Sequence, residues 1–219
     1  MQNLGYMMKN MNDDVVPNPD VLKANQRMVD QLGRARRKEK SKTRRERTID
    51  YCAEFFLILC GYADSPFSIT AQGDNFKIFG KTCRGIGDRY VVVTPSNDLV
   101  LVFEDNSLEE GKVIGKQGHL GQIVAELLKL LSMNGDTKTF RSVLAVRLVN
   151  YHVTAFRVDP SLETLSTLCD TDKVPTTKLE LMCNVATPGT SLGLSLIDPT
   201  QRLTALRTMA DMRQFIRKQ

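Results

Sequence analysis

The hydrophobic pattern first becomes regular near residue 48, where Ile49, Cys52, Ala53, Phe56, Leu57 and Cys60 recur at helical spacing. Thr48 is a residue type that starts helices and Gly61 one that stops them, so the spacing predicts a helix over 48–60, with Glu54 one position off its apolar stripe. From Phe67 to Val102 the pattern changes to short β-type runs: FSIT, NFKIFG, RYVVV and LVLVFED, the last two joined by Pro95-Ser96-Asn97-Asp98. In this hairpin the apolar residues are nearly continuous, as expected of strands covered on both faces. Gly121 to Met133 predicts a second helix, with Ile123, Val124, Leu127, Leu128 and Leu131 on one stripe, ended by Asn134-Gly135. Its Gln122, Glu126 and Lys129 share another face, whose default environment is water. SVLAVRLV and HVTAFRVD, around Asn150 and Tyr151, predict a further hairpin, and 200–219 an amphipathic helix with Leu203, Leu206, Met209, Met212, Phe215 and Ile216 inward. Residues 160–200 carry no readable period.

These elements specify the fold class α/β, with a mixed central β-sheet flanked by helices, as a single domain over 48–219. Residues 1–47 are polar and read as a flexible arm. The chain has 219 residues, 42% hydrophobic and 25% charged, which is the composition of a globular protein. No apolar run reaches the roughly 20 residues of a membrane helix, and the N-terminus lacks a signal-peptide pattern, so the expected place is inside the cell, in nucleus or cytoplasm. Five cysteines without a CxxC pair and only two histidines favour reduced thiols over disulfides or structural zinc.

Charge changes the picture at one place. Gly33 to Arg47 (GRARRKEKSKTRRER) holds nine Lys or Arg against two Glu, a local +7 in a chain of net +5, so the remainder carries −2. Arg36, Arg37, Lys38, Lys40, Lys42, Arg44, Arg45 and Arg47 are therefore candidate nucleic-acid contacts. With no aromatics among them, they would grip phosphates without sequence preference. An import signal and a solubilising tail are the other readings of this arm.

The candidate chemistry lies in the central hairpin. Folding RYVVV onto LVLVFED brings Asp88 near Glu104, Asp105 and Asn106. If the turn centres on Asn97, Asp88 shares a face with Glu104 and Asn106; a two- or four-residue turn pairs it with Asp105 instead. Carboxylates at that range repel unless one is protonated or a cation sits between them, and an oxygen-only donor set suits Mg²⁺ or Mn²⁺. Taken singly, an Asp at a strand start is a turn residue and Glu-Asp-Asn-Ser a solvated loop. What raises Glu104 above that is its position directly after Leu-Val-Leu-Val-Phe, where an unpaired carboxylate is costly. Gly80-Lys81-Thr82 lacks the first glycine and the following helix of a phosphate loop, and no GxSxG elbow is present.

A helix with an internal Glu, an Asp at a strand start, a Glu after an apolar strand and a helix bearing Gln, in that order, resemble the PD-(D/E)XK, or restriction-endonuclease-like, nuclease superfamily. The stretch through VLAVRLVNYHVTAFRV is also similar to nuclease-like domains of eukaryotic mobile elements and Crinkler-type effectors. Over Thr48 to Asp159 the resemblance implies a restriction-endonuclease-like fold and Mg²⁺- or Mn²⁺-dependent phosphodiester hydrolysis. Glu54, Asp88 and Glu104 would be its metal ligands, and Asp88, Glu104, Asn106 and Gln122 its catalytic set. Asn106 stands where that family has lysine, with Lys112 or Lys116 as displaced amines, and no proline precedes Asp88. The expected partner is nucleic acid, DNA favoured over RNA. A catalytically inactive nuclease-like domain that binds nucleic acid or protein is the alternative, and a structural protein that packages nucleic acid a third reading.

Overall fold

The structure, a computed structural model, describes Arg27 and residues 42–71, 73–78, 81–86, 89–94, 96–106, 116–134, 142–149, 151–161, 164, 180–184 and 193–218. The chain runs α1 (Lys42–Leu59), β1 (Phe67–Thr70), β2 (Gly73–Ile78), β3 (Lys81–Ile86), β4 (Arg89–Val93), β5 (Asp98–Asn106), α2 (Lys116–Asn134), β6 (Val143–Val149), β7 (His152–Val158), β8 (Leu181–Cys183), β9 (Leu194–Ser195) and α3 (Pro199–Arg217). The main sheet has seven strands in the order β1-β4-β5-β6-β7-β8, with β9 also on β7, while β2 and β3 form a separate hairpin. All pairings in the main sheet are antiparallel except β5 with β6, which α2 connects as a crossover. The fold is thus α/β, a mixed sheet between helices. Among the described residues no helix is long and apolar enough to cross a membrane.

Two apolar layers hold the sheet. On one face Cys52, Ala53, Phe56 and Leu57 of α1 and Ala205, Leu206, Met209 and Ile216 of α3 pack against Val91, Leu101, Phe103, Val146 and Leu148. Phe56 meets Phe103 with ring centroids 6.4 Å apart. The buried Tyr62 donates its hydroxyl to the Met209 carbonyl at 3.0 Å, tying the chain after α1 to α3. On the other face Ile123, Leu127, Leu130 and Leu131 of α2 cover Tyr90, Val92, Val102, Val143, Ala145 and Phe156. Each fully buried side chain of this size contributes about 1.5–3 kcal/mol.

Local signals explain the ends of the elements. At the end of α1 the Tyr62 amide donates to the Leu57 carbonyl and Gly61 to Ile58, with Gly61 at φ 78°, so a glycine closes the helix as expected. The α3 cap is Asp198, whose carboxylate accepts from the Gln201 amide at 2.8 Å with Pro199 following. The start of α1 differs from expectation: it begins by Lys42, so Thr48 lies inside the helix and is not its cap. Arg, Lys and Glu propagate a helix well, and no Gly or Pro interrupts 42–48. The helix therefore runs through 47/48, the expected edge of the basic arm.

β5 contains an irregularity that matters for the site. Val93 pairs with Asp98 and Val92 with Leu99, but Val91 pairs with Leu101, so Val100 is an extra residue. Leu99 lies in the α2 layer, Val100 and Leu101 both in the α1 layer, and Val102 again in the α2 layer. Alternation resumes from there, which sets Phe103 toward α1 and Glu104 toward α2.

Candidate functional site

Glu104 is held at the end of an apolar strand with only 3% of its surface exposed. Its Oε1 accepts a hydrogen bond from Nε2 of Gln122, in the second turn of α2. Two of the residues marked by sequence are thus brought together: β5 ends at Asn106 and α2 runs back over it, so the two side chains meet above the sheet. The parallel ladder sets Glu104 beside Arg147 on β6, and the next ladder sets Arg147 beside Thr154 on β7. Glu104, Arg147 and Thr154 therefore form one polar row on the α2 face, at the carboxyl ends of the parallel pair, where α/β sheets place ligands.

Arg147 does not turn toward its acidic neighbour. Its guanidinium leans the other way, 5.8 Å from the Phe156 ring, with Nη2 3.5 Å from the Thr154 hydroxyl. Among the described residues it makes no ion pair, and its buried Nε has no hydrogen-bond partner. Burial lowers its pKa from the ordinary guanidinium value.

Next to this row lies a buried polar cluster, where the helical spacing predicts a water-facing side. Glu126 is 5% exposed and Lys129 0%. Tyr90 of β4 donates its hydroxyl to Glu126 Oε2 at 2.6 Å, and Lys129 Nζ donates to that same hydroxyl at 2.8 Å. The ammonium also sits 4.4 Å from the Tyr90 ring centroid. Gln122, Glu126 and Lys129 do share a helix face, but only Gln122 is exposed; the other two point into the sheet, while Val124, placed on the apolar stripe, faces outward.

Glu54 does not join the site. Its half-exposed carboxylate pairs with Arg89 at 3.4 Å, and Arg89 is the ladder partner of Phe103, on the α1 face. Glu104 points to the opposite face, so the structure does not bring these two carboxylates together. Asp88 lies outside the described residues, as do Arg36, Arg37, Lys38, Lys40, Lys112 and the side chains of Asn106 and Lys116. Lys42, Arg44, Arg45 and Arg47 fall in the first turns of α1, where only the backbone is described. Among the described residues no three of His, Cys, Asp and Glu converge as a metal site. A pocket of about 420 Å³ lies on the other face, between β7, β8 and α3, lined by Ala155, Met182, Asn184, Met212 and Phe215, away from Glu104.

Arg147 and Thr154 are the members of the row that sequence reading missed. The available signal was a single Arg inside SVLAVRLV, since a charge within an otherwise apolar strand has to be accommodated on a buried face. Comparison of the chain with protein-family models, with curated proteins and with solved structures gives no match.

Proposed function

We propose that the α2 face at the ends of β5 and β6 is a metal-dependent phosphodiesterase site on a restriction-endonuclease-like fold, acting on nucleic acid. The observation that carries this reading is Glu104, a nearly buried carboxylate engaged by Gln122 across the strand–helix junction. The order α1, β4, β5, α2 supports it, being the helix, strand, strand, helix order that the resemblance implies.

In this reading Glu104 and Asp88 hold Mg²⁺ or Mn²⁺, which requires the β4–β5 ladder to continue by one pair beyond Arg89 and Phe103. The carboxylate of Glu104 fits such an ion by its chemistry, and the side-chain carbonyl of Gln122 offers another hard oxygen. A bound divalent cation would polarise the phosphodiester and acidify a water. Gln122 keeps the Glu104 carboxylate oriented, and the basic segment 33–47 holds the polymer by its phosphates, DNA before RNA. Glu54, paired with Arg89 on the other face, is left out of this set.

Purified chain incubated with single-stranded and duplex DNA and RNA in Mg²⁺ or Mn²⁺ should cleave at least one of them. Glu104→Gln and Asp88→Asn should abolish cleavage and leave binding in place. Absence of metal-dependent cleavage on every polymer would remove the enzymatic reading. One residue favours a second reading, a silent nucleic-acid-binding module: Asn106 stands where the family has its lysine. That module would bind polymer, show no cleavage, and take up Mn²⁺ without dependence on Asp88.

A further inference from the structure

We propose that Arg147 is an anion-binding residue of this site and that the anion is a phosphate group. The identification of that phosphate as part of a nucleic-acid chain rests on the function proposed above; the binding of phosphate does not.

A guanidinium carries five N–H donors in a planar fork and no acceptor. Arg147 satisfies them poorly: one long contact to Thr154, a place over the Phe156 ring, and a buried Nε with no partner. Leaving a buried donor unmade costs about 1–3 kcal/mol, more when the group is charged, so a side chain kept in this state points to an acceptor that completes it. The nearest carboxylate by register is Glu104, one strand away on the same face, yet the two do not pair. Glu104 is turned to Gln122, and Arg147 is turned to Thr154. The guanidinium is thus turned away from the carboxylate beside it, and its buried Nε is left without an acceptor.

Phosphate fits the anion half best. Its oxygens match the two-pronged fork of a guanidinium, and the Thr154 hydroxyl, itself buried, is within reach as a further donor. The location agrees with this chemistry, because ligands of α/β sheets gather at the carboxyl ends of parallel strands. If Arg147 served only to cover Phe156, a neutral side chain of similar length would serve as well.

The test is calorimetric titration of the full chain, at fixed ionic strength, with inorganic phosphate and with a nucleoside 5′-monophosphate. Wild type should bind both, and Arg147→Gln should lose about tenfold or more, one strong charged hydrogen bond's worth. Arg147→Lys keeps the charge without the fork and should fall severalfold. It also provides the folded comparator if Arg147→Gln fails to fold by circular dichroism. Undiminished phosphate affinity in Arg147→Gln or in Arg147→Lys, or no phosphate binding by wild type, overturns the assignment. A wild type that cleaves no polymer but binds phosphate through Arg147 would defeat the nuclease reading and leave this one standing.

Discussion

On the face covered by α1 and α3 the sheet offers Val91, Leu101, Phe103, Val146 and Leu148 to aromatic and aliphatic partners. On the face covered by α2 it offers Tyr90 to Glu126 and Lys129, and Glu104 to Gln122, among the apolar contacts. The first kind of packing depends on area and tolerates small sliding. The second is directional: Tyr90 is satisfied at one axial position of α2, and that position also brings Gln122 to Glu104. The polar row lies on the face where placement is specified most narrowly.

The largest way to break this contrast is Lys129→Ala. It would leave Glu126 buried without its cationic neighbour and should cost about 3–5 kcal/mol in urea unfolding. The combined change Tyr90→Phe, Glu126→Leu and Lys129→Met should instead match or exceed wild-type stability, since apolar groups of similar volume replace a buried polar network at little cost. A combined variant as unstable as Lys129→Ala would mean that the cluster stabilises the fold outright and does more than direct it.

A smaller loss is expected from Gly193→Ala, at the edge of the same face. Gly193 has φ +119°, and an added Cβ would stand 2.4 Å from the Val153 carbonyl oxygen and 2.6 Å from the Thr154 hydroxyl. About 1–3 kcal/mol should be lost in thermal or chemical melts, together with displacement of Thr154 from the polar row. Gly121→Ala sharpens the comparison from the solvent side of α2, where an added Cβ meets nothing within 4 Å. It should raise stability by about 0.5–1 kcal/mol and leave the site unaltered.

The smallest effect is a slope with pH. Burial lowers the pKa of His152 below its ordinary 6.5, against a hydrogen bond to the Val149 backbone. The folded protein therefore holds the imidazole neutral where the unfolded chain takes up a proton. Its contribution to stability is complete above the unfolded value and is lost as pH falls through it. Urea midpoints at about pH 7.5 and about pH 5.5 should draw closer together in His152→Gln than in wild type. An equal spread in both would contradict a buried neutral imidazole.

How much of this was legible in the sequence depended on whether a residue's fate was decided locally. The apolar spacing of α1 from Ile49 onward, the two hairpins β4–β5 and β6–β7, α2 and α3 could all be read from periodicity and turn residues. Glu104 could be singled out because the strand before it is so apolar, whereas Gln122 entered only through the family resemblance. β3 could not: Lys81-Thr-Cys-Arg-Gly-Ile86 has little β character and becomes a strand by pairing with β2. The burial of Glu126 and Lys129 could not either, because their partner Tyr90 lies 36 residues away from Glu126 in the chain. Glu54 entered as a ligand through the family resemblance, and its pairing with Arg89 could not be read because a helix period does not say which face of the sheet the helix will cover. Arg147 became informative only once the β5–β6 register placed it beside Glu104.

Val100 gives the β5 segment one residue of slack. Because the strand stores its surplus at that point, a shortening by one residue there could straighten the ribbon while every later side chain kept its side. A single-residue change between Val102 and Glu104 would have no such buffer, and would send the carboxylate across the sheet into the aromatic packing of Phe56. The turn-proximal half of this hairpin is therefore free to vary in length, and the half nearest Glu104 is not.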